Sequence, residues 1–247
     1  PESSIQATQP IKTVKTTATI IEVKTDVLII KINTQGGDVV DGELLAYDTE
    51  LNNGIPFRIL QDNSFKYIAQ SGLIGSNGLD KVIPGRPIYQ TKANYYELAQ
   101  DQQKLTVDLN YINNDNRTVT KRFTFSRNEY SIKVDYIIHN KMNTNANVQL
   151  YAQLKQTIEI PKSSNMMPTS AYRGAAYSTT EDRYEKYKFK TLKETDLNKS
   201  TQGGWVAMIQ HYFVSAWVPQ ADEMNQLYSN YRNGYAVIGF KAPAITI

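Results

Sequence analysis

The residue types that do most protein chemistry are scarce in this chain. It contains two histidines, no cysteine and no Gly-x-Ser-x-Gly turn. Thiol nucleophiles, zinc thiolates and disulfides are therefore excluded together, and imidazole acid–base work falls to His139 and His211. His139 stands beside Asn140 at the end of an alternating segment, and His211 lies inside an apolar run. Neither belongs to a His-x-His or His-Glu-x-x-His spacing, so structural or solvated roles are the ordinary reading. The carboxylate pairs Glu181-Asp182 and Asp222-Glu223 sit in turn-like or charged segments, where capping and solvation suffice. Gly36-Gly37 and Gly203-Gly204 lack the Lys-Ser/Thr or helix that follows a phosphate loop, and read as tight turns. The sequence implies no cofactor and no metal.

One stretch stands out chemically. Tyr172-Arg173-Gly174-Ala175-Ala176-Tyr177 is followed by Tyr184-Glu185-Lys186-Tyr187-Lys188-Phe189. Aromatics interleaved with Arg and Lys make good protein-contact anchors, because the rings bury area while their polar ends stay satisfied. A solvated charged loop with its tyrosines packed back on a sheet is the plainer alternative.

The elements that must position these residues are mostly strands. Tyrosine dominates the aromatics, with 17 Tyr against 7 Phe and 2 Trp, which favours half-buried pleated surfaces. Strand patterns begin at Thr19, run through Val27 to Ile32, turn at Gln35-Gly36-Gly37-Asp38 and resume over Val39 to Tyr47. Further strands fit Phe57 to Leu60 and Tyr95 to Leu98. Lys104 to Tyr111 and Val119 to Ser126 alternate with period two about the turn Asn113 to Asn116, which predicts a hairpin. Ile132 to Ile138, Val148 to Ile160 and Tyr235 to Lys241 complete the clearer strands. Gly72 to Pro87, with four Gly and two Pro, reads as a long loop. Ser178 and Thr179 precede Glu181 and Asp182 with capping-box spacing, which predicts a short helix over Arg183 to Lys188. Trp205 to Val218 is apolar on both alternating faces, which fits a strand covered on both sides or a buried helix; its aromatic and β-branched content between Gly203-Gly204 and Pro219 favours a strand, bent midway.

The expected fold is all-β, a large antiparallel β-sandwich with one or two short helices. Residues 1–18, rich in Thr, Ser, Gln and Lys, read as a flexible linker, and 19–247 as a single domain. The formal charge of +3 is small and dispersed, so no nucleic-acid footprint is indicated. No stretch reaches the ~18 apolar residues of a membrane helix, and a start at Pro1-Glu2-Ser3-Ser4 reads as a processed or excised piece.

The aromatic–basic stretch also carries a resemblance. Tyr172 to Thr179, Tyr184 to Phe189, Gly203-Gly204-Trp205-Val206-Ala207-Met208 and Ala216-Trp217-Val218-Pro219 resemble the periplasmic domain of the YidC insertases of Gram-negative bacteria. Val23 to Leu28, Ile32 to Val39, Gln70 to Leu73 and Gln153 to Gln156 follow in the same order, so the resemblance spans about Val23 to Phe240. It implies a β-supersandwich similar to galactose mutarotases, set between the first two membrane helices on the periplasmic face of the bacterial inner membrane. It implies a non-catalytic role, since insertion belongs to membrane helices that have no counterpart here. Implied partners are SecD-SecF and the SecYEG translocon, with client membrane proteins reached through the parent protein. The SecF contact would fall between Tyr172 and Val218, with Tyr172, Arg173, Tyr184, Lys186, Tyr187 and Lys188 as contact residues. A carbohydrate- or peptide-binding mutarotase-like module is the alternative, and as an enzyme it would need a converging acid and base that the sequence does not supply.

Overall fold

A computed structural model describes residues 17–112, 117–141, 143–159, 172–210 and 212–247. Most of the linker reading, the Asn113 to Asn116 turn and His211 thus lie outside the described residues. In chain order the first strands are β1 (Ile20–Lys24), β2 (Leu28–Asn33), β3 (Asp38–Asp48), β4 (Pro56–Leu60) and β5 (Tyr67–Ile74). Helix α1 (Leu79–Val82) and strand β6 (Tyr95–Glu97) lead to a meander of β7 (Lys104–Ile112), β8 (Thr118–Ser126) and β9 (Ile132–His139). After β10 (Asn147–Thr157) come β11 (Arg173–Ser178), β12 (Glu185–Tyr187) and helix α2 (Phe189–Glu194). The last strands are β13 (Asn198–Gln202), β14 (Trp205–Gln210), β15 (Phe213–Trp217), β16 (Met224–Arg232) and β17 (Tyr235–Thr246).

These strands build one large sheet and two small ones. The ten-stranded sheet runs β13-β16-β17-β10-β5-β3-β2-β1-β6, with β4 on β3. Its pairings are antiparallel except β1 with β6. One small sheet is β7-β8-β9 and the other is β12-β11-β14-β15. The core that joins them draws Ile21, Ile32, Leu73 and Ile238 from the large sheet, Val107, Leu109 and Phe123 from the first small sheet, and Val206 and Met208 from the second. The all-β sandwich expected from the sequence is what the chain forms.

The β7–β8 hairpin follows its alternation closely. Val107 and Leu109 on β7 and Val119, Phe123 and Phe125 on β8 are buried, and Leu109 pairs with Lys121 across the ladder. Gly36 and Gly37 have positive φ, 75° and 63°, as tight turns of this kind require. A Cβ on Gly36 would stand 2.5 Å from Arg86 Cζ, and one on Gly37 would stand 2.8 Å from Lys121 Cδ, so the turn also admits two long cationic side chains.

Three local expectations differ from the structure. Arg183 to Lys188 is not helical: Glu185–Tyr187 pairs with β11, and the helix begins at Phe189. The reason is visible at Thr179, whose hydroxyl accepts the Asp182 N–H at 2.9 Å while its own N–H donates to the Asp182 carbonyl at 2.8 Å. That reciprocal bonding closes a turn between two strands as readily as it opens a helix. Gly72 to Pro87 gives its first residues to β5 and holds α1. Trp205 to Val218 is two strands of an antiparallel hairpin, not one bent strand.

Candidate functional site

The hairpin β14–β15 has two unlike faces. Val206, Met208, Phe213, Ser215 and Trp217 turn inward. Val206 and Met208 are fully buried, Phe213 stacks on Phe57 at 4.1 Å between ring centroids, and the Trp217 indole N–H donates to the Gln153 carbonyl at 3.1 Å. Trp205, Ala207 and Ile209 of β14 and Val214, Ala216 and Val218 beside them form the outer face, with Ile209↔Val214 and Ala207↔Ala216 as cross-strand pairs. Val214 is 58% exposed and Val218 71%. The sequence predicts cover on both faces; among the described residues the structure buries Ala207 but leaves the β15 side of the outer face, at Val214, Ala216 and Val218, open. A contiguous apolar sheet face bordered by charge is the usual mark of an interaction surface.

The six contact residues read from the sequence gather at the border of this face but do not all point outward. Tyr184 is 51% exposed and its ring lies 6.1 Å from that of Trp205. Lys186 and Lys188 are exposed on and beside β12. Tyr172 is half-buried: its hydroxyl donates to the Ala175 carbonyl at 2.7 Å, Lys186 Nζ sits 4.9 Å from its ring, and burial, then Tyr184, push its phenol up to about 12. Gly174 lies directly under it, since a Cβ there would meet the Tyr172 hydroxyl at 2.6 Å. Tyr187 donates its hydroxyl to the Thr195 carbonyl at 2.8 Å and meets Tyr177 edge-on at 6.1 Å. Arg173 turns inward. Its guanidinium donates to the Thr157 and Ile158 carbonyls at 2.5 and 2.8 Å and lies over the rings of Phe65 and Phe189. Burial pulls its pKa down to about 10 against the opposing pull of Tyr67.

A cleft of about 830 Å³ opens on the inner side of the same hairpin. Phe213, Ser215 and Trp217 line one wall, Ile132, Val134 and Tyr136 of β9 line the other, and Ala69, Ser71 and Ala152 of the large sheet contribute to its floor. At one end Tyr47 touches both walls, with ring centroids 6.1 Å from Tyr130 and 5.4 Å from Phe213. The titratable side chains on the lining are tyrosines, the Lys133–Asp135 ion pair at 3.1 Å, and Glu223. Among the described lining residues there is no imidazole. His139 is exposed at the end of β9. Of the carboxylate pairs, Asp182 is engaged by Lys199 at 2.5 Å, while Glu181 and Asp222 are exposed. Among the described residues no group of three or more His, Cys, Asp or Glu could hold a metal ion, and no helix is long and apolar enough to cross a membrane.

A buried polar cluster, absent from the sequence reading, lies behind the cleft and adjoins its lining at Ser71 and Tyr136. Lys121 is fully buried and donates to the Gly36 and Ser71 carbonyls, each at 3.1 Å, with Phe123 and Tyr136 rings 5.4 and 5.5 Å away. Arg86 bonds Asp38 at 2.5 Å, Asp80 at 2.7 Å and the Ser71 carbonyl at 2.9 Å. Burial pulls the Lys121 ammonium down to about 7, with Arg86 acting in the same sense and Asp38 and Asp80 opposing it. The signal was present: Lys121 is in phase with Val119, Phe123 and Phe125 on the buried side of β8.

Comparison with known proteins places the whole described sandwich in one group. A family model described as the YidC periplasmic domain matches residues 20–247. A membrane protein insertase YidC of Aeromonas hydrophila is 45% identical over 87% of this chain and 40% of its own length. One of Shewanella amazonensis is 48% identical over 93% of this chain and 42% of its own length. The chain thus spans about 40% of the length of these curated relatives. Among solved structures, the Slr1438 protein of Synechocystis sp. PCC 6803 aligns with a TM-score of 0.47 at 10% identity, covering 95% of this chain and 89% of that one.

Proposed function

This chain belongs to the YidC periplasmic domain family, and from that premise we propose that it serves a membrane protein insertase as a non-catalytic docking body. It would stand on the periplasmic face of the inner membrane and meet SecD-SecF and, through it, the SecYEG translocon. Client membrane proteins would be handled by the parent protein. The observation that carries the reading is the open outer face of β14–β15. It is bordered by Tyr184, Lys186 and Lys188, so the Tyr184 ring and the aliphatic side chains of Val214 and Val218 are offered where none of the described residues covers them. Such a patch supports recognition more directly than any reacting group in the molecule.

Within the six contact residues, the proposal divides the work. Tyr184, Lys186 and Lys188 would touch the partner, whereas Tyr172, Arg173 and Tyr187 hold the sheet that presents them. The test is co-purification of SecD-SecF with full-length insertase carrying Tyr184→Ala and Val218→Ser. Recovery should fall at least about tenfold with the domain still folded, and unchanged recovery would defeat the assignment. A sugar-binding role draws little support, because the cleft walls are aliphatic and aromatic with few polar groups to read hydroxyls. Calorimetric titration with monosaccharides together with an anomerisation assay separates the two readings: reproducible turnover would promote the enzyme.

A further inference from the structure

We propose that the end of the sandwich formed by the β3–β4, β8–β9 and β14–β15 turns is a docking surface for a basic, amphipathic helix of a partner protein. This surface is separate from the outer face of β14–β15, and its test does not depend on docking to Sec components.

Aromatic contacts join the three turns. Tyr47, near the end of β3, lies 6.1 Å from Tyr130 in the β8–β9 turn and 5.4 Å from Phe213, which follows the β14–β15 turn. Asp26, in the turn between β1 and β2, accepts the Asn128 N–H at 2.8 Å and adds a fourth turn to the group.

Turns at the end of a sandwich are ordinarily polar, and these are not. Leu51 is 93% exposed and Tyr212 87%, with Tyr47, Ile55 and Tyr130 exposed on the same turns. A single exposed leucine is unremarkable, but large apolar side chains gathered on joined turns mark an interaction surface. The β3–β4 turn holds Leu51 out by its own bonding. The Thr49 N–H donates to the Ile55 carbonyl at 2.8 Å, the Gly54 N–H to the Asp48 carboxylate at 3.2 Å and the Ile55 N–H to the Asn53 side chain at 3.0 Å. Asn52 and Gly54 take φ of 57° and 68° to close it. A Cβ on Gly54 would meet nothing within 4 Å, so the turn stands clear of the body.

Charge selects the occupant. Asp26, Asp48, Glu50 and Glu129 are exposed on these turns. No lysine or arginine among the described residues forms an ion pair with any of them. The nearby cations are engaged elsewhere: Arg127 donates to the Ala99 and Gln102 carbonyls, and Lys133 pairs with Asp135. Lys104 follows Asp101 in the turn before β7. Apolar side chains bordered by unpaired carboxylates complement a partner that carries leucine-like and lysine-like side chains together. A second copy would set these carboxylates against their equivalents, and an anionic lipid surface would repel them. The backbone of the β3–β4 turn is already bonded within itself, so it offers no ladder to an added strand. A helix satisfies its own backbone and presents only side chains, which is the recognition this surface permits.

The probe is a short fluorescent amphipathic helix of leucine and lysine, compared with the same helix carrying glutamate in place of lysine. The lysine helix should bind saturably and more weakly as salt rises, and the glutamate helix at least about tenfold more weakly. Leu51→Ser with Ile55→Ser should weaken binding of the lysine helix at least about tenfold while circular dichroism stays unchanged. If that pair fails to fold, Glu50→Gln with Glu129→Gln decides, and should weaken binding about threefold and flatten its salt dependence. Val218→Ser, on the outer face of β14–β15, should leave helix binding intact, so loss of SecD-SecF recovery and loss of helix binding are separable. Equal affinity for the two helices, binding untouched by the Leu51 and Ile55 substitutions, binding lost with Val218→Ser, self-association through these turns, or binding to phosphatidylglycerol vesicles in place of the helix would each overturn the proposal.

Discussion

The two small sheets are held to the large one by different means. The β7–β9 sheet is pinned by buried charge: Lys121 reaches the Gly36 and Ser71 carbonyls, beside an Arg86 that binds Asp38 and Asp80. The β11–β15 sheet is held by aromatic packing and neutral or singly charged hydrogen bonds, through Phe213 on Phe57, Trp217 on Gln153 and Arg173 on Thr157 and Ile158. Buried charges tolerate one geometry only, since any displacement leaves them unsatisfied. Apolar contacts leave faces and edges free. The difference assigns positioning to the first seam and recognition to the second.

The largest effect should come from the ion cluster that lies beside the first seam. Arg86→Ala leaves Asp38 and Asp80 buried without their cation, and urea unfolding should show a loss of about 3–5 kcal/mol. A loss below about 1 kcal/mol would mean that the cluster is solvated and pins nothing.

Arg173→Ala should cost less, about 1–3 kcal/mol, because it strands two carbonyls and uncovers two rings without orphaning a charge. A loss of SecD-SecF recovery with no loss of stability would instead make Arg173 a contact residue and blur the division between the seams.

The pH dependence of the first seam is next in size. The Lys121 ammonium titrates near 7 when folded and near 10.5 when unfolded. Between those values the unfolded chain binds the extra proton, so this lysine makes stability rise with pH from about 7 toward 10, by at most about 1.4 kcal/mol per unit. Lys121→Met should flatten that slope, read from urea midpoints across the range. An unaltered slope would place its cause elsewhere.

On the open side, Tyr184→Ala with Val218→Ser should change stability by no more than about 0.5 kcal/mol, since both side chains are largely exposed. A larger loss would show that the outer face is structural.

How much of this was legible depended on whether local pattern and tertiary role agreed. The β7–β8 hairpin was readable because Leu105, Val107 and Leu109 alternate against Val119, Phe123 and Phe125 around a polar turn. The tight turns at Gly36-Gly37 and Gly203-Gly204 were readable because only glycine accepts those backbone angles readily. The helix expected after Ser178 was not there, because Thr179 and Asp182 satisfy each other identically in a turn between strands. Lys121 hid in plain alternation, where a single cation among Val and Phe looks like a misplaced surface residue. The open face of β14–β15 could not be read at all: Val214 and Val218 are as apolar as any core residue, and only the fold shows that none of the described residues covers them.

Site-specific photo-crosslinking in the full-length insertase compares the two small sheets most directly. A photoreactive side chain at Val214 or Val218, on the outer face of β14–β15, should trap a Sec accessory subunit. The same group at Thr106 or Lys133, exposed on the β7–β9 sheet, should trap none. Equal crosslinking from both sheets, or crosslinks from Thr106 and Lys133 alone, would contradict the claim that recognition belongs to the sheet that buried charge leaves unpinned.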